Sequence, residues 1–209
     1  VFCSGSNGIF RSSDNGESWL SVVNNLPISD ISTLAIGSDD QIYVGTNGGE
    51  GIYRSTDNGD TWVSMNNDSS FSSDPRIQEI GIDQNNNVFL SPFFGTCVYR
   101  TTNQGQTWER LSNGIFGNVR SFAFDNSRSV LAGTDWGVFT SINHGNTWAE
   151  STKGLVALDV RTMAISPNGT VFAGAVNGTW RSTNLGSSWE RVFRSGTTGV
   201  AVDSSGRVY

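Results

Sequence analysis

The chain has 209 residues and a net charge of −6, with 36% hydrophobic, 11% aromatic and only 15% charged residues, and 25 Gly against 4 Pro. That is too aromatic for a disordered chain and too Gly-rich and weakly charged for a helical bundle. The acidic balance argues against nucleic acid as a partner, which calls for clustered Lys and Arg, and no apolar run approaches the roughly 18 residues that would insert into a membrane.

One unit then recurs five times along the chain. In the first pass, Val1-Phe2-Cys3 and Ile9-Phe10-Arg11 are short β-branched and aromatic runs of the kind strands prefer. They lead into the octapeptide Ser12-Ser13-Asp14-Asn15-Gly16-Glu17-Ser18-Trp19 and, after a connector, into a further strand over 31–37. The second pass has Ile42-Tyr43-Val44, Ile52-Tyr53-Arg54, an octapeptide over 55–62 and a strand over 77–83. The third has Val88-Phe89-Leu90, Val98-Tyr99-Arg100, an octapeptide over 101–108 and a strand over 119–125. The fourth has Val130-Leu131-Ala132, Val138-Phe139-Thr140, an octapeptide over 141–148 and a strand over 160–166. The fifth has Val171-Phe172-Ala173, Thr179-Trp180-Arg181, an octapeptide over 182–189 and a strand over 197–203.

Each octapeptide has the residue types of a tight hairpin. Asp or Asn at its third position (Asp14, Asp57, Asn103, Asn143, Asn184) accepts hydrogen bonds from N–H groups further along the turn. Gly at the fifth (Gly16, Gly59, Gly105, Gly145, Gly186) tolerates positive φ. The closing Trp19, Trp62, Trp108, Trp148 and Trp189 return the chain to the core as large apolar anchors. Three of the five carry Asn rather than the carboxylate a metal would favour, so the position is read as a hydrogen-bonding one. The strand after each connector has a small residue at its fifth place (Ala35, Gly81, Ala123, Ala164, Ala201) between bulky neighbours. It is expected to be buried on both faces, its small residue lying where radially packed sheets crowd together. Four short strands in roughly 42 residues describe a β-propeller blade.

The octapeptide closely resembles the Asp-box, or bacterial neuraminidase repeat. The resemblance implies an all-β propeller of about five four-stranded blades in a single domain over 1–209, with repeats starting near 1, 42, 88, 130 and 171. It also implies that the boxes lie on the blade face away from the usual ligand site. The family includes sialidases, xyloglucan-cleaving glycoside hydrolases, sortilin-type receptors and photosystem II assembly factors, so it implies no single function. The chain begins at Val1 and is read as a mature form or an excised piece. Residues 197–203 are expected to complete the first sheet and close a five-bladed ring, the alternative being part of a six- to eight-bladed one. Val208-Tyr209 repeats the position of Val1-Phe2 and competes for that slot.

Residues that depart from the repeat are the candidates for chemistry, because framework demands do not explain them. Arg11, Arg54, Arg100 and Arg181 share one position and are read as framework, and Asp74-Pro75-Arg76-Ile77 only loosely matches the Phe/Tyr-Arg-Ile-Pro signature of sialidases. A glycosidase needs two facing carboxylates; those outside repeat positions are Asp30, Glu50, Asp74, Glu79, Asp135 and Asp159. His144 fills a variable hairpin position and there is no Cys/His cluster, so neither metal nor cofactor is expected. Cys3 aligns with Val44 and Leu90 and is expected to be a buried filler, while Cys97 replaces a Gly. In the loops joining second and third strands, Phe93, Phe94 and Trp136 are expected to form an aromatic rim opposite the boxes. Asp135, Glu79, Arg120 and Arg161 would lie near the channel mouth, an arrangement suited to carbohydrate or peptide. The expected function is a non-catalytic binding or scaffolding module, extracellular, periplasmic or on the cell surface. The alternatives are a glycoside hydrolase propeller domain and an assembly-factor-type propeller.

Overall fold

The computed structural model describes residues 1–5, 8–26, 30–66, 76–125, 127–156 and 158–209. Five antiparallel sheets follow in chain order. The first is β1 (Phe2–Gly5), β2 (Gly8–Arg11) and β3 (Leu20–Ser21); the second is β4 (Ile31–Ile36), β5 (Ile42–Thr46), β6 (Ile52–Ser55) and β7 (Val63–Ser64). The third is β8 (Ile77–Ile82), β9 (Val88–Pro92), β10 (Val98–Thr101) and β11 (Glu109–Leu111). The fourth is β12 (Val119–Phe124), β13 (Val130–Thr134), β14 (Gly137–Ser141) and β15 (Ala149–Glu150). The fifth is β16 (Val160–Ile165), β17 (Val171–Ala175), β18 (Gly178–Ser182) and β19 (Glu190–Phe193). The chain divides into two compact units, Val1–Phe94 with Tyr99–Arg110, and Gly95–Val98 with Leu111–Tyr209.

Each strand pairs with its neighbour in sequence, as short hairpin connections dictate. The second strands β5, β9 and β13 are buried along their whole length, which their unbroken apolar runs require. In the first unit Ile9, Val22, Ile31, Ile42, Val44, Tyr53 and Trp62 form one core cluster; in the second, Leu131, Val160, Met163, Val171, Trp180 and Trp189 anchor another. A hydroxyl at the third place of the innermost strand links one sheet to the next. Thr33 Oγ1 accepts from Ile80 N at 3.3 Å, Ser121 Oγ from Met163 N at 3.0 Å, and Thr162 Oγ1 from Val200 N at 3.2 Å.

The octapeptides share one hydrogen-bond pattern. The opening Ser or Thr hydroxyl accepts from the Gly N–H four residues on, at 2.7 to 2.9 Å, and donates to the third-position side chain. That side chain's Oδ1 in turn accepts the N–H of the seventh residue. Asp and Asn differ only in the direction of one bond. The Ser18 and Thr61 hydroxyls donate to Asp14 and Asp57, whereas Asn103, Asn143 and Asn184 donate through Nδ2 to Thr107, Thr147 and Ser188. The fourth residue, variable in sequence, has positive φ in all five hairpins: Asn15, Asn58, Gln104, His144 and Leu185. For Leu185, at φ 50°, the left-handed region costs about 1–2 kcal/mol, offset by its packing against the second unit's core.

Four expectations change. Residues 197–203 do not complete the first sheet, which has three strands; Ala201 and Tyr209 instead exchange backbone hydrogen bonds, and Val202 bridges Val208. The competing Val208-Tyr209 takes the slot because it is nearest in sequence, the cheapest loop to close. Cys3 is exposed rather than buried, since β1 is an edge strand with no innermost strand beside it. Trp62, Trp108, Trp148 and Trp189 are buried, but Trp19 is 43% exposed and its indole bonds its own hairpin at Gly16 O. The innermost strands are only partly covered: Gly81 and Ala123 are buried, Ala35 and Ala164 are intermediate, and Ala201 is exposed.

The Thr61 hydroxyl and N–H, with Ser55, lower Asp57 to a pKa of about 2, and the matching groups hold Asp14 further below the ordinary carboxylate range. A lowered carboxylate contributes stability that is complete above its unfolded value near 3.8 and is lost as pH falls through about 2. Asp57→Asn, which copies the last three hairpins, should leave the neutral-pH melting temperature within about 2 °C and flatten its decline between about pH 4 and 2. Melting curves across that range check it; an acid limb identical to the parent's would count against the carboxylate.

Candidate functional site

The residues singled out from sequence fall into separate clusters. In the first unit, Phe93 and Phe94 pack edge to face at 5.0 Å, and the Arg76 guanidinium lies 5.8 Å and 4.7 Å from their ring centres. Phe93 N–H donates to Arg76 O, which ties this loop to the start of β8. Glu79, also in this unit, stands on β8 where Thr33, Ser121 and Thr162 stand on the other innermost strands. Thr33 Oγ1 donates to its Oε2 at 3.3 Å, and burial raises its carboxyl to about 7.

In the second unit, the residue after the first of each innermost strand is the extra residue of a β-bulge: pairing skips from Val119 to Ser121 and from Val160 to Thr162. The bulges re-aim Arg120 and Arg161 out of the ladder. Both close on one carboxylate, Arg120 Nε at 3.2 Å and Arg161 at 3.0 Å from Asp159. The same skip at Ile77/Glu79 and Ile31/Thr33 places Gln78 and Ser32 in that position in the first unit.

Immediately before these bulges the two connectors build a groove. Thr96, Phe116, Gly117, Asn118, Trp136, Phe139, Glu150 and Leu158 line about 630 Å³. Phe116, Trp136 and Leu158 are 62%, 65% and 63% exposed, large apolar groups held open to solvent. Asp135 works as a clamp: its two oxygens accept Asn118 N–H and Nδ2 at 2.8 Å each. Gly117 sits inside that clamp at φ 79°, where a Cβ would meet Asp135 Oδ1 at 2.4 Å and Trp136 at 2.7 Å. Trp136 is therefore displayed by a rigid corner. Among the described residues there is no group of three or more His, Cys, Asp and Glu placed to hold a metal ion. Asp74 and Pro75 lie outside the described residues, and Asp30 bonds Asn47 locally.

No protein-family model matches the chain, and no curated protein sequence does. Solved structures do. YCF48 bound to D1 peptide aligns with TM-score 0.69 and 18% identity, over 93% of this chain and 63% of that one. The extracellular domain of a one-component system from B. thetaiotaomicron aligns with TM-score 0.78 and 15% identity, over 99% and 29%. A GH74 enzyme from Niastella koreensis aligns with TM-score 0.72 and 20% identity, over 90% and 35%. This chain thus spans from 29% to 63% of these structures' lengths. The sheets are β-propeller blades.

On the blades, the sequence pointed to Trp136, Asp135, Arg120 and Arg161, and the structure adds Phe116, Asn118 and Leu158 from the connectors. Their signal was partial: Ile115-Phe116 is an apolar pair after Gly114, as Leu155-Val156 is after Gly154, and Phe116 is the aromatic of the two connectors. Phe93 and Phe94 belong to the other unit, with Arg76.

The raised Glu79 carboxyl has a stability consequence. A carboxyl raised in the fold favours the protonated state, so its favourable contribution is complete below 4.5 and is lost as pH rises through about 7. Glu79→Gln should raise the melting temperature by a few degrees at alkaline pH and leave it unchanged at pH values below 4.5. A melt series in which parent and variant run parallel across that window would contradict the assignment.

Proposed function

We propose that the chain is a non-catalytic binding module of an extracellular propeller protein, forming a single domain related to the Asp-box family. Its ligand is a carbohydrate or polypeptide held in the groove around Trp136. The observation that carries this reading is the display of Phe116, Trp136 and Leu158 beside the polar Asn118 and Glu150. Apolar platforms with a few fixed polar groups are what sugar rings and peptide side chains require. The charged Arg120–Asp159–Arg161 cluster follows directly in sequence and would orient a polar substituent. The extracellular assignment draws support from the likeness to an extracellular domain.

Trp136→Ala should weaken binding at least about tenfold on a glycan or peptide array while leaving the melting temperature within about 2 °C. Gly117→Ala should also weaken binding by displacing the corner, with a lowered melting temperature from the strain of a Cβ at φ 79°. Unchanged affinity in both would remove the groove from consideration.

A second reading has one observation in its favour. Glu79, poised near neutrality, has the protonation behaviour of a general acid in glycoside hydrolysis, and GH74 enzymes share the fold. Release of reducing sugar from a β-glucan, abolished by Glu79→Gln, would favour this reading over binding alone.

A further inference from the structure

We propose that the outer groove between the fourth and fifth hairpins receives an arginine side chain from a polypeptide partner. Arginine stands just before the octapeptide in four of the five repeats. In the first blade, Arg11 reaches the next hairpin, donating to the fourth-position carbonyl Asn58 O at 2.6 Å and to Asp60 Oδ1 at 2.9 Å. In the second, Arg54 does the same to Gln104 O at 3.2 Å and to its Oε1 at 2.9 Å. A guanidinium bridging to the following hairpin is thus a recurring part of the blade contact. The fourth blade has Thr140 at that place.

What remains is an open groove of about 590 Å³. Its walls include Thr140, Leu185 and Ser187, the counterparts of Arg11, Asn58 and Asp60. Thr140 Oγ1 is buried there without a hydrogen-bond partner. Leu185 is held at φ 50°, in the left-handed region that its counterparts Asn58 and Gln104 also occupy. The groove therefore keeps the hairpin position that meets a guanidinium in the first two blades, with hydroxyls at Thr140 and Ser187 and no carboxylate at the place of Asp60. Its charged groups are Glu150 and Lys153, of opposite sign, so the frame rather than net charge selects the ligand. The volume exceeds what one guanidinium fills, and Ile142 at the rim is 76% exposed, which suits an arginine carried on a chain with its own apolar contact. A planar donor fork matches fixed carbonyl and hydroxyl acceptors better than an ammonium or an uncharged urea does.

The test is a titration of the intact chain, followed by NMR of the Thr140 and Leu185 methyl groups, with acetyl-Leu-Arg-Leu-amide and its lysine and citrulline counterparts. The arginine peptide should bind with a dissociation constant of about a millimolar and at least about tenfold more tightly than the other two. Ser187→Asp, which restores the carboxylate Arg11 uses at Asp60, should tighten arginine binding about threefold to tenfold. Thr140→Arg, with Ala149 left opposite it as Leu20 and Val63 stand opposite Arg11 and Arg54, should fill the groove and abolish binding. Trp136→Ala should leave arginine binding unchanged, so that this site and the Trp136 groove fail or stand separately. Equal binding of the three peptides, no saturation by about 10 mM arginine peptide, or no change with Ser187→Asp would overturn the proposal.

Discussion

The hydroxyl that opens each octapeptide is the group on which the other features rest. Ser12, Ser55, Thr101, Ser141 and Ser182 are all nearly inaccessible, and each is saturated by a Gly N–H on one side and an Asp or Asn oxygen on the other. A buried hydroxyl without partners costs about 1–3 kcal/mol, so this position accepts few alternatives. Once it is closed, the fourth residue is forced to positive φ and the Trp leaves the hairpin in a fixed direction. That direction brings Trp62 Nε1 to Val22 O and Trp189 Nε1 to Ser151 O, so the turn chemistry of one blade becomes the packing of the blade before it.

A second constraint acts at the innermost strands. The third-place hydroxyl joins neighbouring blades, and the bulge one residue earlier ejects a side chain from the ladder. The two positions follow different rules. The hydroxyl is held to Thr or Ser wherever it receives a neighbouring N–H, while the ejected side chain is Ser32, Gln78, Arg120 or Arg161 without cost to the sheet. Variation is therefore tolerated at the bulge position, where Ser32 bonds the Gly45 and Ile77 carbonyls and Arg120 and Arg161 form a cluster with Asp159. Glu79 breaks this division, because it puts a carboxylate at the place the framework reserves for a hydroxyl.

The sequence carried the hairpins and strand positions because each depends on contacts within about eight residues, where spacing is informative. The αL conformation at His144 and Leu185 was hidden, since neither residue type announces it; it follows from the hydroxyl clamp rather than from the side chain. The bulges were hidden too, because Val119-Arg120-Ser121 reads as ordinary alternation until its pairing with Thr134 and Gly133 is known. The Trp136 groove was half legible. Trp136 stood out in its loop, but Phe116 and Leu158 reach it only through connectors whose course no period predicts. Cys3 and residues 197–203 were misread for a common reason: repeat alignment assumes a neighbour on every side, and burial depends on whether that neighbour is there.

The absence of arginine in the fourth blade is coupled to a second change. Thr140 pairs across the sheet with Ala149, as Arg181 pairs with Glu190. Where the arginine turns to its own strand, at Arg100 and Arg181, the opposite residue is Glu109 or Glu190 and an ion pair forms. Where the opposite residue is apolar, as Leu20 and Val63 are, Arg11 and Arg54 turn to the next hairpin instead. Removing both the arginine and the glutamate leaves an uncharged Thr–Ala pair that the two-residue outer strand β15 tolerates. The groove is thus opened without an electrostatic penalty, while the hairpin across it keeps the backbone geometry that in the first two blades meets an arginine. A space opened this way differs from a packing defect, because its walls are already set for one kind of side chain.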